Sequence, residues 1–278
     1  MNYRHAYHAG NFADVFKHAA LVLLLEHLRQ KEKPFAVIDT HAGIGLYDLA
    51  GPEAAKTGEA EAGIAALLAG GVPDGLPPSY VAVLADLNPS WPDVRFYPGS
   101  PLIVKALLRL RDRLAAVELH PEDVESLRAA LGNDSRVQVR HGNGYAALKA
   151  LLPPPERRGL VLIDPPFEAE DEFKTAARAL AEGLRRWETG IFALWYPVKE
   201  QGVSERFLAE VAHLPRPSLA VEFHLHPPGE SERMQGCGLF VVNPPWRFDT
   251  EMTMLLEILS DRLRADGPSG LHWVKKTT

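Results

Sequence analysis

A chain of 278 residues with 46% hydrophobic and 24% charged side chains has the bulk for one large globular domain, alone or carrying an insertion, and is not a disordered polypeptide. Its formal charge of −6 argues against a protein that grips nucleic acid by broad electrostatic attraction, since phosphate neutralisation needs clustered lysine and arginine, although a local basic strip remains open. The single cysteine, Cys237, excludes an internal disulfide framework and a multi-cysteine zinc site, and none of the eleven histidines falls in an H-E-x-x-H spacing, so no metal is expected.

The first 33 residues hold Arg4, Lys17, Arg29, Lys31 and Lys33 against Asp14, Glu26 and Glu32. They read either as a solvated helix end or as a basic strip. "NFADVFKHAALVLLLEHLRQK" has apolar residues at helical spacing, which predicts a helix over 11–31 that Pro34 ends. The run "ALVLLL" stops at Glu26, far short of the roughly 18 apolar residues of a membrane span, and no small-residue cleavage site follows it. Neither a membrane span nor a signal peptide is expected, and the reading is of a cytoplasmic protein.

"PFAVIDTHAGIG" predicts a buried strand, Phe35 to Asp39, feeding a glycine turn at Gly43 and Gly45, the opening of a nucleotide-binding α/β unit. The next strand should then bring an acid about 20 residues on to bind ribose hydroxyls. The best candidate, Glu118 at the end of "LAAVEL", comes 73 positions after Gly45, which points to an insertion over 47–96. That insertion reads as an Ala-rich helix near 58–69, the stretch "GGVPDGLPP" and a helix near 78–87. "YPGSPLIVKALLRLRDRL" follows as the delayed crossover helix, with Ser100 as its N-cap and Pro101 at its first position.

From there strand and helix alternate: helix 121–131, strand 136–140 into "HGNGY", helix 144–151, strand 159–163 into Asp164, helix 171–187, strand 190–195, helix 203–213, strands 218–225 and 237–242, and helix 249–264. The alternation predicts a doubly wound, mostly parallel sheet with a strand pair near its end. The core would be 1–46 plus 97–278.

The turn Asp39-Thr40-His41-Ala42-Gly43-Ile44-Gly45 departs from G-x-G-x-x-G and is closer to the acidic-x-G-x-G-x-G loop of S-adenosylmethionine enzymes, with His41 at the first glycine position. His41 could donate to a bound carboxylate or merely cap the turn. Glu118 is either a ribose ligand or a common strand-end acid, and Asn143 either an adenine-edge contact or part of an ordinary turn.

Two stretches share a chemistry, "LVLIDPPF" at 160–167 and "LFVVNPPW" at 239–246. An exocyclic adenine amine is a weak nucleophile because its lone pair is delocalised into the ring. A carboxylate and a backbone carbonyl that accept its two N–H bonds favour the positive charge that develops as a methyl group arrives. A stacked ring holds the base in line. In the first copy Asp164, the carbonyl of Pro165 and Phe167 would take these roles. Asp164 ends the fourth core strand, beside the first at the switch point, whereas Asn243 ends a strand expected to run antiparallel, toward the other edge. The second copy is therefore read as a structural cap with Trp246 packed on the core.

"YRHAYHAGNFADVFKH", "IDTHAGIGLYDL", "YPGSPLI", "VELHP", "LVLIDPPF", "IFALWYPV" and "GLFVVNPPW" together closely resemble the RlmJ family of bacterial 23S ribosomal RNA adenine-N6 methyltransferases, over essentially the whole chain. The resemblance implies a class I S-adenosylmethionine-dependent methyltransferase fold, Rossmann-like with a mostly parallel seven-stranded sheet and a small helical insertion. It implies S-adenosylmethionine as cofactor, 23S ribosomal RNA as partner, adenosine 2030 as target and a monomer. Lys17 and His18 would face the methionine end of the cofactor with His41 and Ser100 nearby; Glu118 would hold the ribose, and Asn143 and Gly144 would lie at the adenine. Asp164 would accept the proton and Tyr3 would approach the target nucleotide. The family often has Asp-Gly where this chain has Asn143-Gly144, which removes a charge and implies a shift in cofactor affinity. Competing readings are methylation of adenine in DNA or of a glutamine amide, and a binding module that kept the pocket without catalysis.

Overall fold

A computed structural model describes residues 4–198, 202–227 and 234–276. After a 3-10 turn at His5–Tyr7, Asn11 caps α1 (Phe12–Arg29) by accepting a hydrogen bond from the Asp14 amide at 2.9 Å. Because α1 is apolar nearly all round, it is buried against the sheet and its neighbouring helices rather than lying on the surface. β1 (Ala36–Asp39) is followed by β2 (Leu46–Asp48), α2 (Pro52–Thr57), a π-type turn at Glu61–Ala65, α3 (Ala66–Leu68), α4 (Pro78–Leu87) and β3 (Phe96–Pro98). β2 and β3 pair antiparallel, Tyr47 opposite Tyr97, and bracket the helical segment. The single helix expected near 58–69 is broken instead: Gly63 leaves helical geometry, and the Ile64 amide turns to the Gly10 carbonyl at 2.8 Å. Asn11 and Glu59 join at 3.0 Å, so the segment is tied to the N-terminal block.

The rest of the chain alternates as its pattern predicts: α5 (Ser100–Leu107), β4 (Arg113–Glu118), α6 (Pro121–Leu131), β5 (Val137–His141), α7 (Gly144–Leu151), β6 (Gly159–Ile163), α8 (Glu172–Arg186), β7 (Ile191–Val198), α9 (Val203–Val211), β8 (Ser218–His224), β9 (Gly236–Val242), α10 (Phe248–Arg262) and β10 (Gly270–Lys275). The main sheet has the order β10-β8-β9-β7-β6-β1-β4-β5. β5, β4, β1, β6 and β7 run parallel, while β9 is antiparallel to both β7 and β8. β1 and β6 are buried along their whole length, the uninterrupted apolar character of strands covered on both faces. One face carries α1, α4, α5 and α10; the other carries α8 and α9.

The sheet has eight strands and not the expected seven. The additional strand, β10, pairs antiparallel with β8 at the edge, and its half-exposed Gly-Leu-His-Trp-Val-Lys lacks the apolar density of the core strands. At the N-terminal edge of the parallel strands, Arg109 and Arg158 flank the Phe35 ring. They donate to the carbonyls that end α1 and the loop after it, Arg109 to Lys31 at 2.8 Å and Arg158 to Lys33 at 2.9 Å.

Candidate active site

The chain crosses from one half of the sheet to the other between β1 and β6, where Asp39 lies opposite Leu162 on one side and Ala116 on the other. At such a switch point the loops leaving neighbouring strands diverge and open a crevice at their C-terminal ends. Into it run the 40–45 turn after β1, Glu118 at the end of β4, Asn143 after β5 and Asp164 after β6, so the strand order expected for Asp164 holds.

Gly43 adopts φ +61°, which L side chains rarely reach, and its amide donates to Glu118 Oε2 at 2.8 Å. The other oxygen, Oε1, accepts from the His120 amide at 2.8 Å. Glu118 is therefore held rigidly at the crevice with its position set by two backbone donors. Asn143 caps α7, its Oδ1 accepting from the Ala146 amide at 3.0 Å. Its acceptor is thus engaged, and only the amide donor is left for a ligand. Gly144 approaches the first strand so closely that a Cβ there would stand 1.9 Å from the Thr40 carbonyl oxygen.

Ser100 does not cap its helix. Gly99 takes the N-cap place, Ser100 is the first helical residue, and its hydroxyl donates to Asp39 Oδ2 at 2.7 Å. The reason is the carboxylate: Asp39 is fully buried and needs a donor, whereas the first amides of the helix already bond the Gly99 carbonyl. Burial lifts the Asp39 pKa to about 7, with the Ser100 bond working the other way. His41 lies edge-on to Tyr145, ring centroids 4.9 Å apart. Burial draws its pKa down to about 4, partly offset by Asp164.

Lys17 lies at the centre of the arrangement. Only 6% exposed, its ammonium touches Asp164 Oδ2 at 2.6 Å and Asp14 Oδ1 at 3.0 Å. Burial opposes the charge, but Asp164 and Asp14 more than offset it and hold the lysine pKa well above its ordinary range. Asp14 is 1% exposed; burial raises its pKa, yet His5 at 2.9 Å and Lys17 keep it well below the usual carboxylate range. The Gly10 amide adds a bond to Asp14 Oδ2 at 3.0 Å. His18, next to Lys17, points elsewhere: its Nδ1 meets the Tyr97 hydroxyl at 2.9 Å, which meets Tyr80 at 2.9 Å. Burial holds its pKa down to about 3, so the ring is neutral.

Asp164 Oδ2 belongs to Lys17, while Oδ1 has no hydrogen-bond partner among the described residues. Beside it Phe167, at φ +50°, packs at a tilt on Phe173 (4.5 Å) and stands edge-on to Trp195 (5.9 Å). Lys17 lies 5.8 Å from the centre of the Trp195 ring, which ties the aromatic wall to the charged cluster. Pro165, between Asp164 and Phe167 in the chain, is buried. Tyr3 lies outside the described residues.

Asn243 is far from this crevice, since antiparallel β9 delivers its end to the opposite edge of the sheet. Its amide donates to the Glu188 and Gly190 carbonyls at 2.9 and 2.8 Å, a structural clasp. Trp246, expected on the core, is instead 85% exposed, because Arg247 at φ +67° starts α10 and Phe248 takes the buried place. Sequence reasoning missed Asp14, Trp195 and Tyr145 as parts of the site, and took Asp39 only as the acid that opens the glycine turn. Asn11, Asp14 and Lys17 fall at i, i+3, i+6 on one helix face, a signal that was legible; the others meet the site only through tertiary packing.

Among the described residues no group of three His, Cys, Asp or Glu is placed to hold a metal ion, and no helix is long and apolar enough to cross a membrane. The model of a family described as ribosomal RNA large subunit methyltransferase D, RlmJ, matches residues 32–275. Proteins named ribosomal RNA large subunit methyltransferase J from Haemophilus influenzae and Escherichia coli are each 41% identical to the chain, with 99% of both partners covered. A crystallised protein from Legionella pneumophila is 36% identical and superposes with a TM-score of 0.85, over 96% of this chain and 97% of that one. A probable spermidine synthase from Corynebacterium glutamicum, 14% identical with a TM-score of 0.52 over 97% of this chain and 77% of its own, shares the fold alone.

Proposed function

The chain belongs to the RlmJ family of ribosomal RNA large subunit methyltransferases, and we propose that it transfers a methyl group from S-adenosylmethionine to the N6 amine of one adenosine of 23S ribosomal RNA, adenosine 2030 by family analogy. Ribosomal RNA methylation with S-adenosylmethionine follows from the family. The choice of adenine N6 rests on one observation: Asp164 ends β6 at the switch point with Oδ2 held by Lys17, Oδ1 open, and Phe167 and Trp195 beside it.

The donor set suits the cofactor. A rigid carboxylate at Glu118 matches ribose hydroxyls, the Asn143 amide matches an adenine acceptor, and Lys17 and His41 with Ser100 surround the place where a methionine carboxylate and ammonium would lie, while His18, turned to Tyr97, backs that wall without facing it. Gly144, where a side chain would collide with Thr40, keeps α7 close enough for its first turn to border the adenine. When bound, S-adenosylmethionine supplies an electrophilic methyl group.

The protein's own part is positioning and charge. Phe167 stacks on the target adenine, Asp164 Oδ1 and the Pro165 carbonyl accept its two N–H bonds, and Tyr3 meets the nucleotide as it enters. Lys17 holds the Asp164 carboxylate in one orientation, so the acceptor is set before the base arrives. As N6 formed its bond to the methyl carbon, the bond from that carbon to the cofactor sulfur would break and leave S-adenosylhomocysteine; N6 would turn tetrahedral and positive, the adjacent carboxylate would stabilise that charge, and the proton N6 sheds would pass to Asp164. Adenine in a paired stem cannot reach this crevice, so the base must be unpaired or extruded.

The test is transfer from labelled S-adenosylmethionine to unmodified 23S ribosomal RNA, with nucleoside analysis and mapping of the modified position. N6-methyladenosine should form, and Asp164→Ala should bind cofactor normally while losing nearly all transfer. Full activity of Asp164→Ala, or methylation of DNA or a glutamine amide in place of RNA, would overturn the reading.

A further inference from the structure

The N-terminal edge of the sheet, opposite the crevice, gathers cations that the chemistry above does not use. Arg109 and Arg158 have structural work there, closing α1 over Phe35. Around them Arg29, Lys31, Lys33, Arg111, Arg113 and Arg157 are exposed, and among the described residues none of the six has an ion-pair partner. They come from three loops that the backbone draws together: the Arg113 amide bonds the Phe35 carbonyl at 3.0 Å, and the Ala36 amide bonds the Arg158 carbonyl at 2.9 Å. The acids interspersed with them are Glu32, Asp112, Asp134 and Glu156, of which Asp112 is taken by Arg109 at 2.8 Å and Asp134 by Arg136 at 2.6 Å. Leu110, 86% exposed between Arg109 and Arg111, marks a loop tip that stands out from the fold.

The rim of the crevice beside Phe167 has the opposite sign. Glu168, Glu170 and Asp171 directly follow Phe167, and Asp123 opens α6 just after Glu118, beside Glu122, which Arg4 pairs at 3.0 Å. In a chain of net charge −6, six exposed cations without an ion-pair partner among the described residues thus gather at one end of the strands, while the loop after Phe167 at the other end carries three acids. A rim of this sign admits a neutral base but repels the phosphates on either side of it, so the backbone of a long RNA is best held elsewhere.

We infer that the basic N-terminal edge is a second contact surface for ribosomal RNA, holding phosphates of a segment remote from the target base. The inference rests on the ribosomal RNA substrate read above. The two ends are separated by little more than the length of β6, five residues or roughly 17 Å at about 3.3 Å each, a short distance beside any folded ribosomal RNA fragment. The contact is to backbone charge: no part of it reads sequence, and its signature is salt dependence.

The experiment compares the full chain with Lys31→Glu/Lys33→Glu/Arg111→Glu and with a control of equal charge change elsewhere, Arg206→Glu/Arg264→Glu/Lys276→Glu. Affinity for an unmodified 23S ribosomal RNA fragment is measured across a salt series, beside methyl-transfer kinetics. Loss of three phosphate contacts should weaken binding by at least about tenfold at low salt and lower the slope of log K against log salt by roughly 2 to 3, with the control near the parent. In kinetics the loss should fall on KM, with kcat within about twofold. The neutral set Lys31→Gln/Lys33→Gln/Arg111→Gln should give the same change of slope, which guards against misfolding of the reversed set. Parental affinity and slope in both edge variants, an equal loss in the control, or a fall in kcat at unchanged KM would overturn the inference. A parent that binds RNA but methylates none refutes the reaction, while the binding difference still decides the surface.

Discussion

Replacing Lys17 by methionine removes the one cation between two buried carboxylates and tests whether the charged cluster is a unit. Asp14, 1% exposed, and Asp164, 14% exposed, would face each other across an apolar side chain. Breaking a buried ion pair by deleting one partner costs about 3–5 kcal/mol. Asp14 keeps His5 at 2.9 Å and the Gly10 amide at 3.0 Å, and Asp164 retains some contact with water, so the lower end, about 3 kcal/mol, is expected. Urea unfolding of the parent, Lys17→Met, Asp164→Asn and the double variant closes a cycle. The double variant should recover at least about 1.5 kcal/mol relative to the sum of the single changes, because Asp164→Asn removes the charge that Lys17→Met strands. The sign with pH also follows. Asp14, whose pKa is lowered, contributes stability that is present above the ordinary carboxylate value of 3.8 and is lost as pH falls through its folded value. Lys17, whose pKa is raised, contributes stability that is present below 10.5 and is lost as pH rises through its folded value. The gap between parent and Lys17→Met should therefore be level through the neutral range and shrink toward both extremes. Additivity within about 0.5 kcal/mol at neutral pH would refute the account of Lys17 as the shared partner.

Glu118→Ala should weaken S-adenosylmethionine binding by tenfold or more in calorimetric titration, since it removes the acceptor that the Gly43 and His120 amides hold in place; unchanged affinity would remove Glu118 from the cofactor site. Asn243→Ala should lower stability by about 1–3 kcal/mol through the two carbonyls left without a donor, while kcat on ribosomal RNA stays at the parental value. Asp39 binds its proton more tightly folded than unfolded, so parental stability should fall as pH rises from about 4 to about 7, and Asp39→Asn should flatten that slope in thermal unfolding at a series of pH values.

Periodicity and punctuation in the chain were enough to place the core. α6, α7 and β6 fall at their predicted limits, and the two apolar strands β1 and β6 announce themselves because burial on both faces leaves no polar position in them before Asp39, the last residue of β1. That the two Pro-Pro turns end at opposite edges of the sheet was also legible, because strand direction follows from whether a helix intervenes, and β8 and β9 have none between them. β10 escaped because an edge strand needs only one apolar face, and Gly63 broke a helix for a contact with Gly10 that lies 53 positions away in the chain. The pairing of Lys17 with Asp164 joins residues 147 positions apart, and no local pattern encodes it. Nor could the sequence tell that Ser100 serves Asp39 and not its own helix, or that Trp246 faces water while Phe248 fills the core. Local propensity and period determine which residues form an element and which face is apolar. The tertiary structure alone decides which distant polar groups must satisfy one another, because the cost of burying a charge depends on what the rest of the fold brings within hydrogen-bond reach of it.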